Sequence, residues 1–128
     1  MNDSFQPPKL NGIRVLVVEH ESLVAHQIED MLTGLGCEVV GPASRVGQAL
    51  QLLHGQQVDA AVLDVNIAGE LVYPVADELT SLGLPYIFAT GYGASGLTEA
   101  YRGRPVLEKP FPKKALLRAM LESLQRPE

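Results

Sequence analysis

An alternation of strand and helix patterns, repeated five times, restricts the fold of this chain more than any other feature of its sequence. Ile13, Val15, Leu16, Val17 and Val18 form a nearly continuous aliphatic and β-branched run. A strand wetted on one face would alternate apolar with polar residues, so a run of this kind belongs to a strand covered on both faces, as in a parallel sheet. Glu19 to Ser22 end it. Val24, Ile28, Met31, Leu32 and Leu35 then recur at helical spacing, with Ser22 placed to cap the start and Gly34 and Gly36 marking the end.

The period keeps switching along the rest of the chain. Glu38-Val39-Val40 reads as a second strand stopped by Gly41-Pro42, and Ser44 can cap a helix carrying Val46, Ala49, Leu50 and Leu53. Val58 to Leu63 is a third buried strand and Asp64 to Glu70 a loop. Pro74 stands near the start of the next helix, where a missing N–H is tolerated, and Val75, Ala76, Leu79 and Leu82 follow before Gly83. Tyr86 to Ala89 is a fourth strand, and the glycines from Gly91 to Gly96 predict a short or mobile fourth helix. Val106-Leu107 supplies the fifth strand, and Leu116, Leu117, Met120, Leu121 and Leu124 line a last helix. Right-handed crossovers between such units build one parallel sheet with helices on both faces, an α/β fold. Ligands of these sheets bind beyond the carboxyl ends of the strands, where the strand order reverses.

Size and composition bound what remains. At 128 residues, 46% hydrophobic and 20% charged, the chain can bury one core without disulfides or a structural metal, and it lies far from disordered compositions. Residues 11–126 are expected to form that single domain, with 1–10, including Pro7-Pro8, a flexible arm that adds nothing to the core. A formal charge of -5 without a Lys or Arg cluster points away from nucleic acid. Cys37, the single cysteine, sits in an apolar stretch as a small buried thiol and suits a reducing compartment. Met1 to Leu10 lacks the charged start and apolar core of a signal peptide, and no apolar run approaches ~20 residues, so the expectation is a cytoplasmic protein with no membrane partner.

The strand ends carry the chemistry. Glu19, His20 and Glu21 follow strand one, Asp64 strand three, Thr90 strand four and Lys109 strand five, so four distant segments converge. Facing acidic groups can hold a hard divalent cation through oxygen, and a cation lets a phosphodonor approach a carboxylate despite like charge. Asp64 is then the candidate nucleophile, with Lys109 and the Thr90 hydroxyl as stabilisers of the phosphoryl oxygens. Val15-Leu16-Val17-Val18-Glu19, Leu63-Asp64-Val65-Asn66, Ala89-Thr90-Gly91 and Glu108-Lys109-Pro110-Phe111, in this order and spacing over residues 12–125, resemble the receiver domain of bacterial two-component response regulators. Phe88-Ala89-Thr90-Gly91 followed by Tyr92 further resembles an alphaproteobacterial subgroup often linked to stress-response signalling.

The resemblance implies a doubly wound sheet of strand order 2-1-3-4-5, with Asp64 as phosphoacceptor and a histidine kinase or phosphotransfer protein as donor. It also implies Mg²⁺ or Mn²⁺ held by Glu19, Asp64 and the backbone carbonyl of Asn66, self-catalysed phosphoryl transfer and slow autodephosphorylation. Thr90 matches the hydroxyl that swings to the phosphoryl group, and Lys109 the lysine that pairs with it, commonly before a cis bond to proline, here Pro110. The residue after Glu19 is His20, where receivers usually carry a metal-ligating Asp. Imidazole suits Mg²⁺ poorly and softer ions better. Three readings of His20 stay open: loss of metal affinity in a pseudo-receiver that signals by binding alone, a tolerated variant with altered phosphorylation, or an engineered change.

Val106 replaces the aromatic switch residue of many receivers, leaving the glycine-rich segment as another two-state element, and Tyr92 either moves with it or only packs at the sheet edge. Tyr92, Tyr101, Arg102, Arg104, Lys113 and Lys114 are the candidate partner face, with ordinary solvated charge as the competing reading for the basic residues, and a homodimer is left open. His26 and His54 read as solvent-facing. A flavodoxin-like carrier is disfavoured by negative charge at Glu19-His20-Glu21, and a nucleotide hydrolase by the lack of a G-x-x-x-x-G-K-[ST] loop. The pattern ends about one turn beyond the last helix, which fits either a stand-alone receiver or one piece of a longer regulator.

Overall fold

The computed structural model describes residues 10–91, 97–101 and 103–125. In chain order the elements are β1 (Arg14–Val18), α1 (Ser22–Gly34), β2 (Glu38–Ala43), α2 (Val46–Gly55), β3 (Ala60–Asp64), β4 (Asn66–Ile67), β5 (Glu70–Leu71), α3 (Tyr73–Ser81), β6 (Tyr86–Thr90), a 3-10 turn (Glu99–Tyr101), β7 (Val106–Glu108) and α4 (Lys113–Gln125). The main sheet is parallel throughout and ordered β2-β1-β3-β6-β7. With the two-residue strands β4 and β5 left out, this is the doubly wound 2-1-3-4-5 order.

Period-two alternation inside each run sorts the side chains between two cores. Leu16, Val18, Ala61, Leu63, Tyr86 and Phe88 pack with residues of α2 and α3 on one face. Val15, Val17, Ala60, Val62, Ile87 and Ala89 pack with residues of α1 and α4 on the other. Both faces being covered explains why the strands carry so few polar residues.

Several expectations at the element ends are corrected. Ser22 is the first helical residue of α1 and Glu21 its N-cap, without a side-chain cap. Arg45 takes the corresponding place in α2, while the Ser44 N–H donates to Gln48 Oε1 at 3.0 Å. Gly41-Pro42 does not stop β2, which runs through a cis peptide to Ala43, with the register against β1 shifting between Leu16 and Val18. Gly41 has φ +95°, and a Cβ there would lie 2.8 Å from the Ala43 nitrogen, so only glycine fits this bulge. Asp64 to Glu70 is not a plain loop, because Asn66–Ile67 and Glu70–Leu71 pair antiparallel around Ala68 and Gly69, at φ 56° and 85°. Positive φ at both central residues marks the tight hairpin turn that matches strand twist. Leu10, expected in the arm, is fully buried in the α1/α4 core. Most of the glycine-rich segment expected to hold the fourth helix lies outside the described residues, which between β6 and β7 include one 3-10 turn, and Cys37 is buried as expected.

Candidate functional site

Strand parity decides how the site is assembled. Counting by twos from the core residues puts Glu19 after Val15 and Val17, Asp64 after Ala60 and Val62, and Lys109 after Leu107, all on the α1/α4 face. Thr90 continues Tyr86 and Phe88 and belongs to the opposite, α2/α3 face. At the sheet's carboxyl edge both sets meet in one cleft of about 950 Å³, whose lining includes Asp64, Thr90, Lys109, His20, Asn66 and Leu71. Backbone bonds hold the strand ends in place: Glu19 N–H donates to the Ala43 carbonyl at 2.9 Å, and Lys109 N–H to the Thr90 carbonyl at 2.8 Å. The Lys109–Pro110 peptide is cis.

The charged groups form one cluster. Lys109 Nζ donates to Glu19 Oε1 at 2.8 Å and lies 3.4 Å from Asp64 Oδ2. Glu19 is buried, and its Oε2 accepts the Glu21 N–H at 3.2 Å. Burial, followed by the nearby Glu19 carboxylate, pushes the Asp64 carboxyl up to about 6, with Lys109 opposing the rise. Burial alone would lower the Lys109 ammonium, but its contacts with the two carboxylates outweigh that and hold it above its ordinary value. Lys109 is therefore a fixed cation between two anions, one of which stands at the cleft mouth.

Whether the site suits a divalent cation follows from its donors. Two carboxylates close enough for one to raise the other make a region of excess negative charge, which a hard cation relieves, so Glu19 and Asp64 fit such an ion. His20 is exposed, and among the described residues no three His, Cys, Asp or Glu side chains group to hold a metal by themselves. The remaining positions of such an ion would fall to the Asn66 carbonyl and water.

Of the expected partner-face residues, Tyr92 and Arg102 lie outside the described ones. Tyr101 donates its hydroxyl to Asp77 Oδ1 at 2.6 Å, and Arg104 lies 4.3 Å from the centre of the Tyr86 ring. Lys113 is exposed at the start of α4 and reaches the last turn of α1, where a Cβ on Gly34 would sit 3.1 Å from its Nζ. His26 and His54 are exposed, 3.6 Å from Asp30 and 3.2 Å from Glu78.

Two features of the site have only faint sequence signals. The β4–β5 hairpin walls the cleft through Asn66, Ala68, Gly69 and Leu71, and its turn is closed by the Gly69 N–H donating to Asn66 Oδ1 at 2.9 Å. An Asn three residues before a Gly is the trace it leaves. The Glu21 backbone contact that orients Glu19 leaves none, since any residue supplies an N–H.

Comparison with known proteins gives the same architecture. The family profile described as the response regulator receiver domain matches residues 15–121. The solution structure of SdrG from Sphingomonas melonis Fr1 is similar with a TM-score of 0.81 and 38% identity, covering 88% of this chain and 97% of that one. The PhyR response regulator REC domain of Erythrobacter litoralis gives a TM-score of 0.81 and 26% identity, covering 92% and 96%. The transcriptional regulatory protein PdtaR of Mycobacterium tuberculosis is 28% identical over 117 residues, 88% of this chain and 57% of the relative. The chain spans about half the length of the curated relatives it matches.

Proposed function

The chain belongs to the response regulator receiver domain family, and on that premise we propose that Asp64 is its phosphoacceptor in a two-component or phosphorelay system. The observation carrying this reading is the Lys109 ammonium, 2.8 Å from buried Glu19 and 3.4 Å from Asp64, in a cleft that Thr90 also lines. A carboxylate oxygen of Asp64 attacks the phosphorus of a phosphohistidine on a histidine kinase or phosphotransfer protein. The phosphorus–nitrogen bond breaks, its electron pair returns to the donor's imidazole, and an acyl phosphate forms on Asp64. Lys109 supplies a cation for the new phosphoryl oxygens, and Thr90 a hydroxyl donor.

Receiver domains generally bind Mg²⁺ at the phosphorylation site. In this chain Glu19, Asp64 and the Asn66 carbonyl are the residues that would hold Mg²⁺ or Mn²⁺, with His20 at the rim, and the ion would neutralise charge as donor and acceptor meet. The likeness to SdrG and PhyR supports placing the chain among regulators of that alphaproteobacterial type, with a partner protein as its output.

A second reading, a pseudo-receiver that signals by binding alone, draws on one observation: exposed His20 contributes no carboxylate, and Lys109 already offsets part of the charge of Glu19 and Asp64. Intact mass after incubation with a small acyl-phosphate donor and Mg²⁺ or Mn²⁺ separates the two. Phosphorylation adds one phosphoryl group to the native chain and none to Asp64→Asn, and His20→Asp raises the yield. An unchanged mass for the native chain with either ion, and for His20→Asp as well, rejects the phosphoacceptor reading.

A further inference from the structure

Outside the charged cluster, the α1/α4 side of the molecule carries a patch of half-exposed apolar side chains on which charge is divided by sign. On α1, Val24, Gln27 and Met31 recur at helical spacing along one flank and lead to Gly34 in the last turn. Val24 and Met31 are only partly buried against the core, and Gln27 is exposed. On α4, Lys113, Leu117, Leu121 and Leu124 share one flank in the same way, the three leucines being partly buried. The two flanks meet where Lys113 reaches Gly34, since a Cβ on that glycine would lie 3.1 Å from Nζ. Each stripe extends for roughly 15 Å along its helix, so the two together make one elongated patch.

The sign of charge changes along that patch. α1 contains Glu29 and Asp30 and no Lys or Arg, and Asp30 neighbours Gln27 and Gly34 on the helix surface, 3.6 Å from His26 and with its side chain 72% exposed. α4 begins with Lys113 and Lys114 and adds Arg118, against the one acid Glu122, and exposed Lys114 neighbours Leu117 and Leu121. An acidic apolar stripe thus continues into a basic one. A two-fold axis through the Gly34–Lys113 junction would lay α1 of one copy along α4 of another and repeat the pairing on the far side of the axis, which is the self-complementarity that an isologous interface needs. The net charge of -5 per chain opposes the approach of two copies. At physiological salt that repulsion is screened beyond ~8 Å, whereas opposed side chains touch.

We infer that this patch is a contact surface for a second copy of the chain, in which Asp30 and Lys114 of one copy face Lys114 and Asp30 of the other across the apolar stripes. Nothing in this depends on phosphorylation of Asp64. Pairing covers a crevice of about 80 Å³ between α1 and the segment after β7, whose lining includes Val24, Met31, Phe111, Lys109 and Pro110. Lys109 and Pro110 line the cleft as well, so the paired surface borders the site at Asp64. Two stripes of this length make a small interface, and small interfaces give weak, reversible pairs.

The test is sedimentation velocity of the full chain from low micromolar to near-millimolar concentration. The native chain passes from monomer to dimer over that range. Asp30→Lys and Lys114→Glu each oppose like charges at two symmetric places and weaken association roughly tenfold, the scale of two exposed pairs turned from attraction to repulsion. Both positions are exposed, so the variants keep the native circular dichroism spectrum. The variant carrying both changes regains native association, and an equimolar mixture of the two single variants forms heterodimers, because each supplies the charge that the other lacks. A native chain that stays monomeric throughout overturns the proposal and leaves the patch to a partner of another kind. A dimer that the single changes leave intact lies on another surface and overturns it too, as does a mixture of the single variants that does not associate.

Discussion

Replacing Asp64 by Asn should stabilise the resting protein, by an amount that depends on pH in a direction set by the site. The Asp64 carboxyl is raised from 3.8 to about 6 by burial and by Glu19, more than Lys109 offsets. Between those values the folded protein binds more protons than the unfolded chain, so stability falls as pH rises through the window. The penalty is absent below 3.8, grows above it and is complete above about 6. At 1.36 kcal/mol per unit the shift corresponds to about 3 kcal/mol. Because the cleft admits solvent, screening reduces this to on the order of 1.5 kcal/mol. An amide keeps the size of the side chain and cannot ionise, so Asp64→Asn recovers most of that quantity at neutral pH. Urea unfolding midpoints, measured for both proteins in steps from about pH 4 to about pH 8, should coincide at the acid end and separate by roughly 1–2 kcal/mol at the other. At the alkaline end the melting temperature of the variant should be about 4 °C higher. An Asp64→Asn protein less stable than the native chain at about pH 8, or a difference that does not change with pH, would show that Lys109 stabilises the carboxylate more than burial and Glu19 oppose it.

Three further substitutions probe the frame around the site. Lys109→Met leaves the buried Glu19 carboxylate without its cation, which should cost about 3 kcal/mol in urea unfolding near neutral pH and move the Asp64 carboxyl resonance to a higher titration midpoint. Gly41→Ala puts a Cβ 2.8 Å from the Ala43 nitrogen at φ +95°, and thermal unfolding should show a loss of roughly 2–3 kcal/mol from strain and bulge distortion. Leu116→Ala empties a fully buried position between α4 and the sheet and should cost about 2–5 kcal/mol, with the spread set by how far the cavity collapses.

Much of the site was legible because strand ends are visible in the sequence. Once Val15 to Val18, Val58 to Leu63, Tyr86 to Ala89 and Val106-Leu107 read as buried strands, Glu19, Asp64, Thr90 and Lys109 fall at one edge of the sheet. What each residue touches was not legible. On the expected partner face, Tyr101 and Arg104 contact Asp77 and Tyr86, residues of α3 and β6 far from them in sequence. One leucine after a polar, proline-containing stretch has no period to betray it, so Leu10 reads as part of the arm, yet the α1/α4 core closes over its side chain.

Short-range information thus determined where the strands and helices begin and end to within a few residues, that the sheet is parallel and covered on both faces, and which side chains stand at its carboxyl edge. Hydrophobic period and turn residues act over a few positions and survive in any fold that buries those runs. Tertiary structure alone decided that one ammonium bridges two carboxylates, that the threonine belongs to the opposite face from them, and that two tyrosines 28 residues apart stack with their rings 4° from parallel. Those facts depend on strand parity and helix placement taken together, and a sequence states parity within one strand but not the register between strands.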